Sequence, residues 1–329
     1  MRRRSLLTVL GAAGLWPLAI LAQQRERMRR VGVLMPFPES DAGTQADVTA
    51  FAQALGRFGW IEGKNIGLDY RFAAGNPMLF KTYAAELVSL SPDVILAGNT
   101  PAAAALQQQT RTIPIVFVLV ADPVGMGFVQ GLARPRGNIT GFSSFDPPIM
   151  GKWLQLLKEV APGVTRVAVI FNPETAPYAT LANRAIESAA PFFGMTVRLA
   201  PVRDDLAIEE AITAEAHQPG GGLIALPDSF NATHREAIIA AAARHRLPVI
   251  GASGLSPKAG ALMSYWIHEP DLYSQAASYI DRILKGASPA DLPVQQPTKY
   301  SLIINLKTAN ELGLTVPPNM LDLADEVIE

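Results

Sequence analysis

The chain has no cysteine in 329 residues. That absence excludes disulfides, cysteine-ligated zinc, iron–sulfur clusters, thiol nucleophiles and lipidated cysteine anchors together. Histidine is scarce as well. His217, His234, His245 and His268 include no i, i+4 pair, and a metal site needs a ligand cluster, so no metal is expected. The GxxxxGK phosphate loop, HExxH and GxSxG are missing. Gly125 to Gly131 has the spacing GxGxxxG, out of register with a dinucleotide turn, and Gly141-Phe142-Ser143-Ser144-Phe145 lacks the closing glycine of a nucleophile elbow. Neither an enzyme nor a cofactor is expected. Charge is sparse too, at 17% against 49% hydrophobic, which excludes a disordered chain. With 28 basic and 29 acidic residues and no basic block in the folded part, nucleic acid is not an expected partner.

Long apolar runs are missing everywhere except at the start. Met1-Arg2-Arg3-Arg4 is a basic n-region, Leu6 to Ala22 is uncharged and broken by Gly11, Gly14 and Pro17, and Gln23 begins a polar stretch. This is the layout of a secretory signal peptide over residues 1–22, cleaved after Ala22, with Ile20 a bulky residue at −3. Arg3-Arg4-Ser5-Leu6-Leu7 also resembles a twin-arginine export signal. Removing three arginines leaves 25 basic against 29 acidic residues, a net charge of −4. A soluble, periplasmic mature protein is the expectation, with no anchor to hold it.

What remains alternates between strand and helix. Arg30 to Met35, Ile66 to Phe72, Val94 to Ala97 and Ile113 to Val120 read as strands. Thr44 to Phe58, with Val48, Phe51, Ala52 and Leu55 on one face, Met78 to Leu90 and Pro101 to Thr110 read as helices. The series restarts at Met150, with strands at Arg166 to Phe171, Thr196 to Ala200, Leu223 to Leu226 and Pro248 to Ile250, and helices at Pro177 to Phe193, Leu206 to Ala216 and His234 to His245. Such βαβ series predict parallel sheets covered on both faces, here two doubly wound α/β lobes. The last 70 or so residues hold a helix from Asp271 to Leu284, a strand from Tyr300 to Ile304 and a helix capped by Asn305. They are too few for a third core and complete the other two. The expected division is 28–121 with 264–290 for the first lobe and 143–256 with 297–329 for the second. Residues 122–142, 257–263 and 291–296 are the expected crossovers around a hinged cleft.

Several segments resemble a known family. They are Ile113-Pro114-Ile115-Val116-Phe117, Ala133 to Gly141, Arg166-Val167-Ala168-Val169-Ile170-Phe171-Asn172-Pro173 and, most specifically, Ile283 to Gly286, Pro289 to Lys299 and Ile303 to Ala309. Over essentially the whole mature chain they resemble the ABC-transporter substrate-binding family that includes the tryptophan/tyrosine-type proteins. The resemblance implies a type I periplasmic-binding fold: two Rossmann-like lobes, three crossovers and a small ligand, an amino acid or related carboxylate, in the cleft. It also implies an ABC permease in the inner membrane as partner, and a monomer. The chain departs from the pattern at Arg136, within Gly251 to Lys258 and at Gly260 to Trp266, near the crossovers. An exported sensor domain on the same fold is the alternative.

Ligands of parallel sheets sit beyond the carboxyl ends of the strands, which selects the candidates. Asn99 and Thr100 lie between a strand end and a helix start, where Thr100 as N-cap and the Thr100–Ala102 amides would meet a carboxylate. Asp122 follows the next strand. Asn172 and Tyr178 follow a strand of the second lobe, and Asp228 with Phe230 follows another. Asp228 would accept from a ligand ammonium. Phe37, Tyr178, Phe230 and Trp266 are the candidate apolar walls.

Overall fold

The computed structural model describes residues 28–144, 149–252 and 255–329; residues 1–22, expected to be a signal peptide, lie outside them. Runs of branched apolar residues become buried parallel strands, as expected of strands covered on both faces. β1 (Arg29–Met35), β2 (Ile66–Phe72), β3 (Val94–Ala97), β4 (Ile115–Val120) and β5 (Ile139–Ser143) form an all-parallel sheet in the order β2-β1-β3-β4-β5. Helices α1 (Ala42–Arg57) and α9 (Glu269–Leu284) cover one face and pack on each other. α2 (Pro77–Ser89) and α3 (Thr100–Gln109) cover the other.

The second sheet has the order β12-β11-β10-β9-β8-β6-β7. Its strands are β6 (Arg166–Phe171), β7 (Thr196–Pro201), β8 (Gly221–Ala225), β9 (Val249–Gly251), β10 (Met263–Trp266), β11 (Ser301–Asn305) and β12 (Glu326–Ile328). All neighbours run parallel except β10 and β11. α4 (Ile149–Val160) and α5 (Ala179–Ala189) lie on one face. α6 (Asp205–Ala216) and α8 (Arg235–Arg244) lie on the other. Short α7 (Ser229–Thr233) follows β8. Asn305 caps the helix after β11 as expected, its Oδ1 accepting from Thr308 N–H at 2.9 Å.

The crossovers differ from the expected 122–142, 257–263 and 291–296. β5 begins inside the first range, yet it is the edge strand of the first sheet. Its signal is weak because Gly141 interrupts it, and the structure explains the glycine: a Cβ there would sit 2.0 Å from the Phe117 carbonyl oxygen. β10 pairs with β9 and β11, so Ser264 to Trp266 belong to the second sheet and not to the first lobe. Val294 and Gln295 run along β5, with Gln295 N–H donating to Gly141 O at 3.0 Å. The chain therefore passes between the sheets after β5, between β10 and α9, and between Gln295 and β11. One apolar cluster, including Trp153 of α4 and Tyr273 of α9, extends through both lobes on the hinge side.

Candidate ligand-binding cleft

Strand ends from both sheets meet at the cleft. Phe37 follows β1, and Asn99 and Thr100 link β3 to α3. Tyr178 precedes α5, and Asp228 opens α7. All five line one inter-lobe cavity with about 420 Å³ of atom-free space, part of it open to solvent. Leu119, Ser144, Thr175, Ser229, Trp266 and Glu269 complete the part of the wall that bears on its chemistry. Among the described residues, Asp228 and Glu269 are the charged side chains of that wall, and no Lys, Arg or His joins them. A second, wider inter-lobe space of about 960 Å³, also partly open, lies beyond Trp266 and Glu269 and is bordered by Asp47 of α1. Trp266 and Glu269 face both spaces, and the indole N–H donates to Glu269 Oε1 at 3.0 Å.

The residue roles differ from several sequence expectations. Asn99, not Thr100, is the N-cap of α3: its Oδ1 accepts from Ala102 N–H at 2.9 Å. Pro101 has no N–H, so only the Thr100 amide remains of the expected carboxylate nest. Thr100 Oγ1 instead accepts from Ala121 N–H at 3.1 Å, tying α3 to the end of β4 and leaving the hydroxyl proton free to donate. Asp122, Asn172 and Phe230 do not line the cavity. Asp122 closes a turn by accepting from Gly125 N–H at 2.9 Å. Asn172 is buried, and its side chain accepts from Glu174 N–H at 2.8 Å. Phe230 is a core residue of the outer face of the second sheet, stacked on His234 with ring centroids 3.9 Å apart.

Asp228 reaches the wall but is committed to its own lobe. It accepts from Asn172 N–H at 2.6 Å, Thr175 Oγ1 at 2.5 Å and Phe230 N–H at 2.7 Å. These bonds join the loop after β6 to the start of α7. Burial pushes its carboxyl up to about 6, against the pull of those donors. Tyr178 donates to the Pro227 carbonyl, and burial with the neighbouring Asp228 holds its hydroxyl far from ionisation.

Sequence reasoning passed over Glu269, Ser229 and Asp47. Ser229 Oγ is buried without a protein partner among the described residues. Asp47 is 3% exposed. Burial first, then Glu269 and Asp41, push its carboxyl up to about 9. Nothing in the sequence marks it, because one acid near a helix start reads as a solvated or dipole-favoured residue.

The lobes touch across the mouth. Asp41, the N-cap of α1, forms an ion pair with Arg235 at the start of α8 at 3.1 Å. Gly75, between β2 and α2, abuts α7: a Cβ there would lie 3.0 Å from the Ser229 carbonyl oxygen. This is a closed arrangement.

Residues 31–328 match the family model described as ABC transporter substrate binding protein. A tyrosine-binding protein from Clostridioides difficile (strain R20291) is 26% identical over 300 residues, spanning 88% of this chain and 82% of that protein. Among solved structures, an ABC domain in complex with L-Trp from Streptococcus pneumonia has a TM-score of 0.84 at 25% identity, covering 91% of this chain and 99% of that one. The ligand-free, open structure of a substrate binding protein with adhesive properties from Clostridium difficile has a TM-score of 0.67 at 26% identity, again covering 91% and 99%. With identity and coverage alike, the fit is better to the complex than to the open form, in line with the lobe contacts above.

Proposed function

The chain belongs to the ABC transporter substrate-binding protein family, and from that membership we propose that its ligand is an aromatic amino acid, captured between the lobes and handed to an ABC permease. The expected family and the two-lobed α/β architecture are borne out. The ligand class rests on the make-up of the cleft. Phe37, Tyr178 and Trp266 offer aromatic walls, and among the described residues the inner cavity carries carboxylates without a base. Aromatic walls with net negative charge favour an apolar body that bears an ammonium group. The relatives named for tyrosine and L-Trp support the same class.

In this reading residues 1–22 direct export, and the mature protein works in the periplasm as a monomer. It neither turns its ligand over nor binds nucleic acid. No helix among the described residues is long and apolar enough to cross a membrane. A ligand touching both lobes favours the closed state because it has more partners there than in an open one. Isothermal titration of the purified exported protein against the twenty amino acids tests the ligand class. Tryptophan or tyrosine should bind at about 1 μM or tighter, an ordinary affinity for a well-formed pocket. Preference for a non-aromatic amino acid, or no binding at about 1 mM, would sink the aromatic reading.

A further inference from the structure

One carboxylate in the cleft is not used by the fold. Asp47 lies on the buried face of α1 and borders the wider inter-lobe space. It is 97% buried, yet its side chain makes no hydrogen bond or ion pair among the described residues. Thr44, one turn earlier, also has a hydroxyl buried without a partner. Burying an acid without donors is costly, and its neighbours add to the cost. Glu269 at the start of α9 and Asp41 both act on it as like charges, and the buried Tyr273 hydroxyl lies within the field of the same acids.

The other charged groups at this space have partners of their own. Asp41 is paired with Arg235. Glu326 is paired with Lys258 at 2.9 Å, His268 with Asp271 at 3.1 Å, and Asp325 accepts from Leu302 N–H at 2.8 Å. Among these acids, Asp47 is held ready for a cation that the described residues do not provide.

We propose that Asp47 and Glu269 together hold the ammonium group of the ligand, with Trp266 as the adjoining aromatic wall. The anchor comes from α1 and from α9, both on the first sheet, while Trp266 ends a strand of the second. A ligand held there touches both lobes and the passage between them. Asp228, whose oxygens already serve three donors, is left as a framework residue. The proposal rests on the aromatic amino-acid reading only for the identity of the ligand, not for the charge of the group bound.

The test uses probes that lack either the amine or the carboxylate of tryptophan. L-Tryptophan, tryptamine, indole-3-propionate and the remaining amino acids are titrated into the exported protein, its Asp47→Asn variant and its Glu269→Gln variant. Tryptophan and tryptamine should bind, and indole-3-propionate should bind at least tenfold more weakly. Asp47→Asn should lower affinity for both amines by about 10- to 100-fold, the range for a charge-assisted bond. Its unliganded melting temperature should rise, which also reports that the variant folds. Glu269→Gln should weaken both amines in the same direction. Unchanged affinity in Asp47→Asn overturns the anchor, as does equal binding of the amine-free acid or no binding of any ammonium compound. Binding of a non-aromatic amino acid that Asp47→Asn abolishes upholds the anchor and overturns the aromatic reading alone.

Discussion

The two lobes each bring one deeply buried aspartate to the cleft, and each is 3% exposed. In the second lobe Asp228 gathers the Asn172 and Phe230 amides and the Thr175 hydroxyl, and its carboxyl rises only to about 6. In the first lobe Asp47 gathers no donor among the described residues, faces Glu269, and rises to about 9. Burial is the same; the hydrogen bonds are not. Donors return part of what desolvation takes away, so a carboxylate satisfied from within stays close to ionisation, while an unsatisfied one holds its proton until a cation arrives to favour the charged form. The comparison separates an acid that stitches loops together from one that waits for a partner.

Removing the stitching acid should have the largest effect. Asp228→Ala leaves two amides and a hydroxyl without their acceptor in a buried place, and should cost roughly 3–5 kcal/mol of folding stability in urea titrations. A loss below about 1 kcal/mol would mean that water replaces the carboxylate and that Asp228 is not framework.

The pH dependence sharpens the contrast next. Both groups have a folded-state value above the ordinary carboxylate, so the folded protein holds the extra proton. Below about pH 4 both states are protonated and nothing is lost. As pH rises from there the unfolded chain releases its proton first, and stability falls with a limiting slope of about 1.4 kcal/mol per pH unit for each group. For Asp228 the window closes near 6, and for Asp47 near 9. Asp47→Asn should therefore match the wild type near pH 4 and become progressively more stable than it up to pH 9, as melting curves across that range would report. Parallel curves at every pH would show that Asp47 ionises normally and that its burial is compensated.

The smallest effect belongs to the contact across the mouth. The Asp41–Arg235 pair joins the lobes, but the arginine side chain is 36% exposed, so solvent screens it. Arg235→Ala should weaken ligand binding two- to threefold, about 0.5 kcal/mol, mainly through faster dissociation in stopped-flow experiments. Small-angle scattering of the unliganded variant should show a larger radius of gyration if the pair helps to hold the lobes closed.

How much of this was legible beforehand differs between elements. The strands at Arg29–Met35 and Arg166–Phe171 announce themselves as apolar runs ending at turn residues. β5 is illegible in the sequence because a glycine and the surrounding turn residues hide a five-residue strand. Its membership in the first sheet depends on pairing with β4, a contact far from local pattern. That β10 joins the second sheet and not the first lobe is illegible for a similar reason, since four residues carry no sign of which sheet they will join. On α1 the expected face was Val48, Phe51, Ala52 and Leu55. The buried set is Thr44, Asp47, Phe51, Ala54 and Leu55. Periodicity located the helix but not its phase, and of the polar residues on its inner face Asp47 borders the cleft.

The residues alone determined the two αβ series and the strand ends at which Asn99, Tyr178 and Asp228 would stand, because local periodicity and turn chemistry dictate where a strand stops. The family resemblance likewise needed only the order of residues. Which of those side chains meet was decided by tertiary structure. Asn172, Thr175 and Phe230 claim Asp228 only once β6 and β8 lie side by side, and Asp47 faces Glu269 only because α9, more than two hundred residues later, returns to pack on α1. Whether an acid is satisfied or left waiting depends on donors brought from distant parts of the chain, and periodicity within a single helix or strand carries no record of them.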